Sequence, residues 1–564
     1  MKEYLGRLAF FFRYAWFFSV FVNLAMLTLP LYMLQVYDRV LVSRSLPTLI
    51  MLTLGAVFVY LVYIGLEAVR ARMLVHAGRG LDQLLAGPVL SEAMARSALP
   101  SGDRHAAPIR DVSTLRQYVS GSGPIAFFDA PWSVIFLGII FVVHWWLGAM
   151  ALVGMLLLVA LAAIDEWRTR PLLLDGGGKS RSAWRSADLA ARNAQAIAAM
   201  GMQPALTSRW LTGNASATQV QSSAAERSST VVSVSKGLRQ LLQVLMLGLG
   251  AYLVVLDQLT PGAMIASTIL LGRATAPIEL AIAGWRNFVD ARAAYARLSE
   301  LLVDSRPDSD EILRLPPPHG AIEVDRVVFA PVPGQPPLIK GISFDLPAGE
   351  TLAIIGPSAA GKSTLLRLLL GIWHPQSGSV RLDGADVAQW PRDALGPSVG
   401  YLPQEVELLE GTVGENIARM GRMPDSSDAV LAAAKRAGAH EMILKLTQGY
   451  ETPVGESGVV LSGGQRQRIG LARALFGAPK VVMLDEPNAN LDSEGEAALT
   501  AALRELKRMR TTVLFVTHKP ALLAAADRIL VLAGGSVVAY GPRDEVLAKL
   551  KPSSSIETAV VATT

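Results

Sequence analysis

The sequence contains no cysteine. That excludes disulfides, cysteine-ligated zinc, iron–sulfur clusters and a thiol nucleophile. Charge is also scarce. Only 18% of the 564 residues are Asp, Glu, Lys or Arg, against about 25% in an average soluble chain. Such a composition argues against disorder and against an ordinary soluble enzyme. What is abundant is apolar: 51% of residues are hydrophobic, and the mean hydropathy is +0.37. The net charge of +5 is unevenly placed. Residues 1–304 hold 26 basic and 18 acidic side chains, a net of +8, and residues 305–564 hold 26 basic and 29 acidic, a net of −3.

The long apolar runs lie in the basic half. A helix rises about 1.5 Å per residue, so about 20 apolar residues cross the hydrocarbon of a bilayer. Six runs meet that length, near 14–37, 48–69, 121–143, 147–166, 241–257 and 261–283. They predict an α-helical six-span membrane domain over 1–304. Lys and Arg collect in two long segments, Arg70–Arg116 and Arg168–Lys236, while the opposite-side loops hold only Arg39 and Arg44. The positive-inside bias therefore predicts cytoplasmic N- and C-termini. The low breaker content of both basic segments predicts helices continuing into the cytoplasm. The segment "MKEYLGRLAFFFR" reads either as an amphipathic lead-in on the membrane or as the start of the first span.

Composition changes after the last run. Residues 305–320, "SRPDSDEILRLPPPHG", read as a linker, and 551–564 read as a flexible tail. Between them, 321–550 alternate short β-rich runs with helical stretches, which predicts an α/β domain with a parallel sheet. Within it, "GPSAAGKST" (Gly356, Pro357, Ser358, Ala359, Ala360, Gly361, Lys362, Ser363, Thr364) follows a strand and opens a helix. That is the P-loop pattern in its required context. The glycines let the backbone curl so that N–H groups point inward, and the helix start adds positive potential. Lys362 is placed to reach the β/γ-phosphates and Ser363 to ligate Mg²⁺. "VVMLDEP" ends a strand in two acids: Asp485 suits Mg²⁺, and Glu486 suits a general base for the attacking water. "LSGGQRQR" puts Ser462, Gly463, Gly464 and Gln465 at a helix start, a second phosphate surface. A second surface on one chain makes sense if it closes over the nucleotide of another copy, which predicts a dimer holding two ATP molecules.

These residues resemble the ABC-transporter ATPases, whose signature is this LSGGQ. The resemblance implies that Gln404 in "YLPQE" is the Q-loop glutamine, touching Mg²⁺ and the catalytic water. It also implies that Asp492 in "NANLD" is the D-loop aspartate at the ATP site and His518 the switch histidine on the γ-phosphate. The family's adenine-stacking aromatic is absent near Pro331, so adenine is expected on Phe329 or on the proline surface. Six spans ahead of the ATPase resemble exporters of the type IV ABC fold. That likeness implies coupling segments near Ser101–Arg110 and Met200–Trp210, with Glu415 as a polar contact. Intact Glu486, His518 and signature favour a homodimer.

"FFDAPWSVIFLGIIFVVHWWLG" and the stretch 371–420 look like the permease/ATPase of type I secretion systems, in the subgroup exporting proteases, lipases and RTX-type proteins. Unlike bacteriocin and haemolysin exporters, the chain is expected to lack an N-terminal peptidase or peptidase-like domain, and the absence of cysteine excludes a working cysteine peptidase within this sequence. The resemblance implies an ATP-driven exporter of unfolded proteins with C-terminal signals, in the bacterial inner membrane. Its partners would be a periplasmic adaptor and an outer-membrane channel. The alternative on the same scaffold is an exporter of lipid or small amphiphiles. Six spans and an acidic ATPase half oppose a nucleic-acid partner. A charge facing lipid near the middle of the sixth span costs about 2.5–3.5 kcal/mol, so Arg273 either lines the substrate path or pairs structurally with another residue. Asp129 and Trp132 are further candidates.

Overall fold

The computed structural model describes residues 2–100, 107–303, 315–332, 334–421, 423–455 and 459–550. The segment expected to link the domains is described only from Leu315 onward. The expected coupling segment near Ser101 is described only from Ala107, and the expected tail 551–564 lies outside the described residues. Two compact units form: Met1–Met94 with His105–Arg306, and Ala95–Arg104 with Pro307–Thr564.

The first unit is helical. Among the described residues six helices are long and apolar enough to cross a membrane: Gly6–Ser43, Leu46–Ser97, Pro108–Val143, Trp145–Thr169, Gln203–Val255 and Pro261–Leu302, numbered here as spans one to six. The lead-in is continuous with the first span in one helix, Lys2–Met26, and Leu8 is buried against Leu81, Leu85 and Leu298. The second and fifth spans belong to helices of 52 and 53 residues. At 1.5 Å per residue each is about 80 Å long, far more than a bilayer core requires. The third and fourth spans are separated by one extended residue, His144, whose Nδ1 accepts from the Trp146 N–H. The neighbouring Trp145 and Trp146 rings stack with centroids 4.0 Å apart.

Several polar groups inside this unit find partners on distant helices. Asp38, on a π-helical turn of the first span, accepts the Gly262 N–H at 2.7 Å and the Thr260 hydroxyl at 2.5 Å. It thus caps the sixth span from a distant segment, where an anion suits the helix N-terminus. Arg70 of the second span, 3% exposed, donates to both Asp129 oxygens at 3.0 and 3.2 Å and to Ser19 at 2.7 Å. Ser19 and Asn23 of the first span also donate to Asp129. One buried ionic cluster therefore ties spans one, two and three. Arg239 of the fifth span meets Glu279 of the sixth at 2.7 Å.

The second unit contains twelve strands among its described residues: β1 (Ile322–Phe329), β2 (Ile339–Leu346), β3 (Thr351–Ile355), β4 (Ser377–Leu382), β5 (Ala385–Asp386), β6 (Val399–Leu402), β7 (Gly411–Thr412), β8 (Pro453–Val454), β9 (Val481–Asp485), β10 (Thr512–Val516), β11 (Arg528–Ala533) and β12 (Ser536–Pro542). An antiparallel sheet runs β2-β1-β4-β5, and the main sheet runs β12-β11-β3-β10-β9-β6. The main sheet is parallel except at its β12 edge. β9 and β10 are buried at every residue, as strands covered on both faces must be. Their side chains alternate between two cores. Val482, Leu484, Val513 and Phe515 enter one, and Val481, Met483, Leu514 and Val516 enter the other.

Candidate functional site

Parallel pairing in register sets the site. Val516 at the end of β10 pairs with both Ile354 of β3 and Asp485 of β9, and Leu484 of β9 pairs with Leu402 of β6. The segments leaving these carboxyl ends therefore lie side by side: the P-loop, His518, Asp485 with Glu486, and Gln404. Ligand crevices of open α/β sheets form at such ends.

The loop from Gly356 to Gly361 joins β3 to the helix Lys362–Leu369. Its shape requires glycine at both ends. A Cβ on Gly356 would fall 2.1 Å from the Leu532 carbonyl oxygen, and Gly361 has φ +94° with Ile339 against it. The helix is anchored by buried Leu365, Leu366, Leu368 and Leu369. Ala360 and Thr364 are buried too, and Ala359 takes the left-handed conformation at φ 62°. Lys362 Nζ donates to the Gly356 and Pro357 carbonyls at 2.9 and 2.8 Å, folding back along its own loop. Burial pushes its ammonium below the ordinary lysine range, and Glu486 and Asp485 oppose that shift.

Asp485 is fully buried. Its Oδ1 accepts the Ser363 hydroxyl at 3.0 Å, and its Oδ2 has no hydrogen-bond partner. Burial raises its pKa; the Ser363 bond works against this and the Glu486 charge adds to it. A buried carboxylate oxygen without a partner, beside a serine hydroxyl, offers the oxygen ligands that fit a hard divalent cation. Glu486 follows with φ 49°. Its Oε2 accepts from Gln404 Nε2 at 3.2 Å, and its Oε1 lies 3.6 Å from His518 Nε2. The three residues predicted as catalytic thus converge on one carboxylate.

Ser462 caps the helix Gly463–Leu475 in a reciprocal box with Gln465. The Gln465 N–H donates to the Ser462 hydroxyl at 3.2 Å, and the Ser462 N–H donates to the Gln465 side chain at 2.9 Å. Gly464 lies against the Asn490 backbone. Among the described residues, no hydrogen bond or ion pair joins this helix start to the Lys362 group. Asp492 caps the helix Ser493–Arg508 through the Gly495 N–H and binds Arg468 of the signature helix at 2.8 Å. The Gly495 N–H and then the Arg468 charge hold its carboxyl below the usual range.

Phe329 does not present a free face for adenine. It is 5% exposed and stacks on Trp373 with centroids 5.3 Å apart and rings 18° from parallel. In the β1–β2 turn Val332, Pro336 and Pro337 are exposed, so the proline surface expected as the alternative is open. Glu415 is spent locally: its side chain accepts the Thr412 N–H at 2.8 Å in a capping box. Of the three membrane residues singled out for a substrate path, Asp129 is buried in the Arg70 cluster, and Trp132 borders the core around Phe136 and Ile140. Arg273 is half-buried and makes no ion pair among the described residues. The residues that sequence reasoning missed are Arg70 and Arg468, the partners of Asp129 and Asp492. No local pattern marks a partner 59 or 24 positions away.

A family model described as ABC transporter matches residues 339–489, and one described as ABC transporter transmembrane region matches residues 12–277. The chain is 41% identical to the type I secretion system ATP-binding protein PrsD of Rhizobium meliloti, over 96% of this chain and 92% of that protein. It is 31% identical to the leukotoxin translocation ATP-binding protein LktB of a Pasteurella haemolytica-like strain, over 94% of this chain and 75% of the relative. In fold it is similar to a bacterial Atm1-family ABC exporter with ATP bound, at a TM-score of 0.84, 23% identity and 99% coverage of both chains. The six-span membrane domain and the ATP-binding domain predicted from the sequence are both present, and the chain belongs to the ABC transporters, in the family of type I secretion ATP-binding proteins.

Proposed function

We propose that this protein is the ATP-hydrolysing exporter of a type I secretion system, moving unfolded proteins with C-terminal signals out of the cytoplasm. The observation that carries the reading is likeness to a type I secretion protein along 96% of the chain, together with an intact catalytic group on Glu486. ATP hydrolysis is coupled to transport. In this reading the chain sits in the bacterial inner membrane with both termini cytoplasmic, as its arginine-rich segments imply. It works as a homodimer with a periplasmic adaptor and an outer-membrane channel.

The P-loop N–H groups from Gly356 to Thr364 and the Lys362 ammonium hold the ATP phosphates. Leaving the Gly356 and Pro357 carbonyls for phosphate gives Lys362 a stronger, charge-assisted set of contacts. Ser363, Gln404 and Asp485 would hold Mg²⁺, which supplies neutralisation of phosphate charge. Glu486 accepts the proton of the attacking water, while Gln404 and His518 orient that water and the γ-phosphate. Ser462, Gly463, Gly464, Gln465 and Asp492 close over the nucleotide of the other copy. Arg273 contacts the passing chain.

The direct test deletes the gene and compares the proteins released by the mutant and parent strains. Loss of one or a few secreted proteins, restored by the intact gene, supports the reading. An unchanged secretome combined with ATPase stimulation by lipid or drug would favour an amphiphile exporter.

A further inference from the structure

The first unit contains a cavity of about 550 Å³ between the fourth and fifth spans, lined by Asp165, Trp167, Arg168, Thr169 and Arg227 among others. We propose that it binds the phosphate headgroup of an anionic membrane phospholipid. Its level in the membrane follows from helix length. The apolar run of the fourth span goes from Trp145 to Ile164, about 29 Å at 1.5 Å per residue, which matches the hydrocarbon thickness. The next residues are Asp165, Glu166, Trp167 and Arg168. The cavity therefore opens where headgroups begin, on the arginine-rich side.

Its electrostatics select an anion. Arg168 and Arg227 are exposed, and neither makes an ion pair or hydrogen bond among the described residues. Other cations of the same two helices do: Lys179 with Asp175, Arg192 with Asp188, Arg239 with Glu279. The one acid in the lining, Asp165, is 4% exposed and accepts the Thr169 hydroxyl at 2.9 Å, so its charge is turned inward. Two guanidinium forks remain for phosphate oxygens, the geometry in which arginine binds phosphate best. Trp167 is 79% exposed at this level, where an indole is favoured between acyl chains and headgroups. A soluble anion would gain nothing from that ring.

The site rests on the membrane domain alone and is independent of the exported cargo. The test reconstitutes the full chain in nanodiscs of phosphatidylcholine with rising fractions of phosphatidylglycerol. Lipid retained on detergent extraction is then counted by native mass spectrometry. Phosphatidylglycerol should be retained in preference to phosphatidylcholine. Arg168→Gln and Arg227→Gln should each weaken that retention about tenfold, the worth of a hydrogen bond to a charged group, with phosphatidylcholine unchanged. Both arginines are exposed, and size-exclusion and ATP-binding measurements check that each variant is folded. Equal retention of phosphatidylglycerol by folded variants and the parent overturns the proposal. Displacement of the lipid by inorganic phosphate would also overturn it, because the site would then serve a soluble anion.

Discussion

At the scale of single residues, the ATP site is a set of groups held in states that nucleotide would relieve. Asp485 is buried with one oxygen unpartnered, and Lys362 is buried and turned back on its own loop. Glu486 sits at φ 49°, an uncommon conformation for a glutamate, and its carboxylate accepts from Gln404 and lies beside His518. Glu486→Gln should therefore still bind ATP but hydrolyse it about 10²–10⁴-fold more slowly, the usual worth of a positioned base. Parent-level turnover of the purified variant in a phosphate-release assay would remove Glu486 from that role. Gly356→Ala has no such tolerance, because its Cβ would overlap the Leu532 carbonyl. It should abolish ATP binding in a fluorescent-nucleotide titration. Arg70 and Asp129 give a different kind of prediction. Removing Arg70 leaves a buried carboxylate unpaired, so Arg70→Leu should destabilise the domain by about 3–5 kcal/mol. Replacing both partners by apolar residues should recover most of the thermal stability measured in detergent. Recovery would identify Asp129 as a packing residue rather than part of a substrate path.

At the scale of elements, helices and strands are joined at their ends by contacts distant in sequence. Asp38 of the first span caps the sixth through the Gly262 N–H. Asp38→Ala should cost about 1 kcal/mol, the typical worth of a cap, and would show as a lowered melting temperature with unchanged ATP affinity. The strand ends that carry the catalytic group are set by the register of β6, β9 and β10. Much of this was legible. The run "VVMLDEP" read as a strand ending in two acids, and the P-loop and signature declared their helix starts. What could not be read was the neighbour. Sequence order gives no hint that β6 pairs with β9, 79 residues beyond its last residue. Parallel pairing depends on crossovers that bury the sheet, not on adjacency.

At the scale of the whole molecule, the apolar window of the second span has no buried residue within this chain. A surface that apolar has its place against acyl chains or against another copy. Arg273 is half-buried, and among the described residues this charge has no ion pair. Arg273→Leu should therefore reduce secretion several-fold while ATPase activity in detergent holds. Normal secretion by that variant in a culture-supernatant assay would exclude the residue from the path.

The sequence by itself determined the class of this protein. Six apolar runs, their arginine bias and an ordered set of nucleotide motifs follow from local chemistry: backbone satisfaction in hydrocarbon, and N–H groups turned toward phosphate. Only the tertiary structure decided the partners. It gave Asp129 to Arg70, Asp492 to Arg468, Glu279 to Arg239 and Phe329 to Trp373. The reason is physical. A charge or ring taken from water must find its counterpart wherever the packed elements bring one, and that position is fixed by the fold as a whole rather than by its neighbours in the chain.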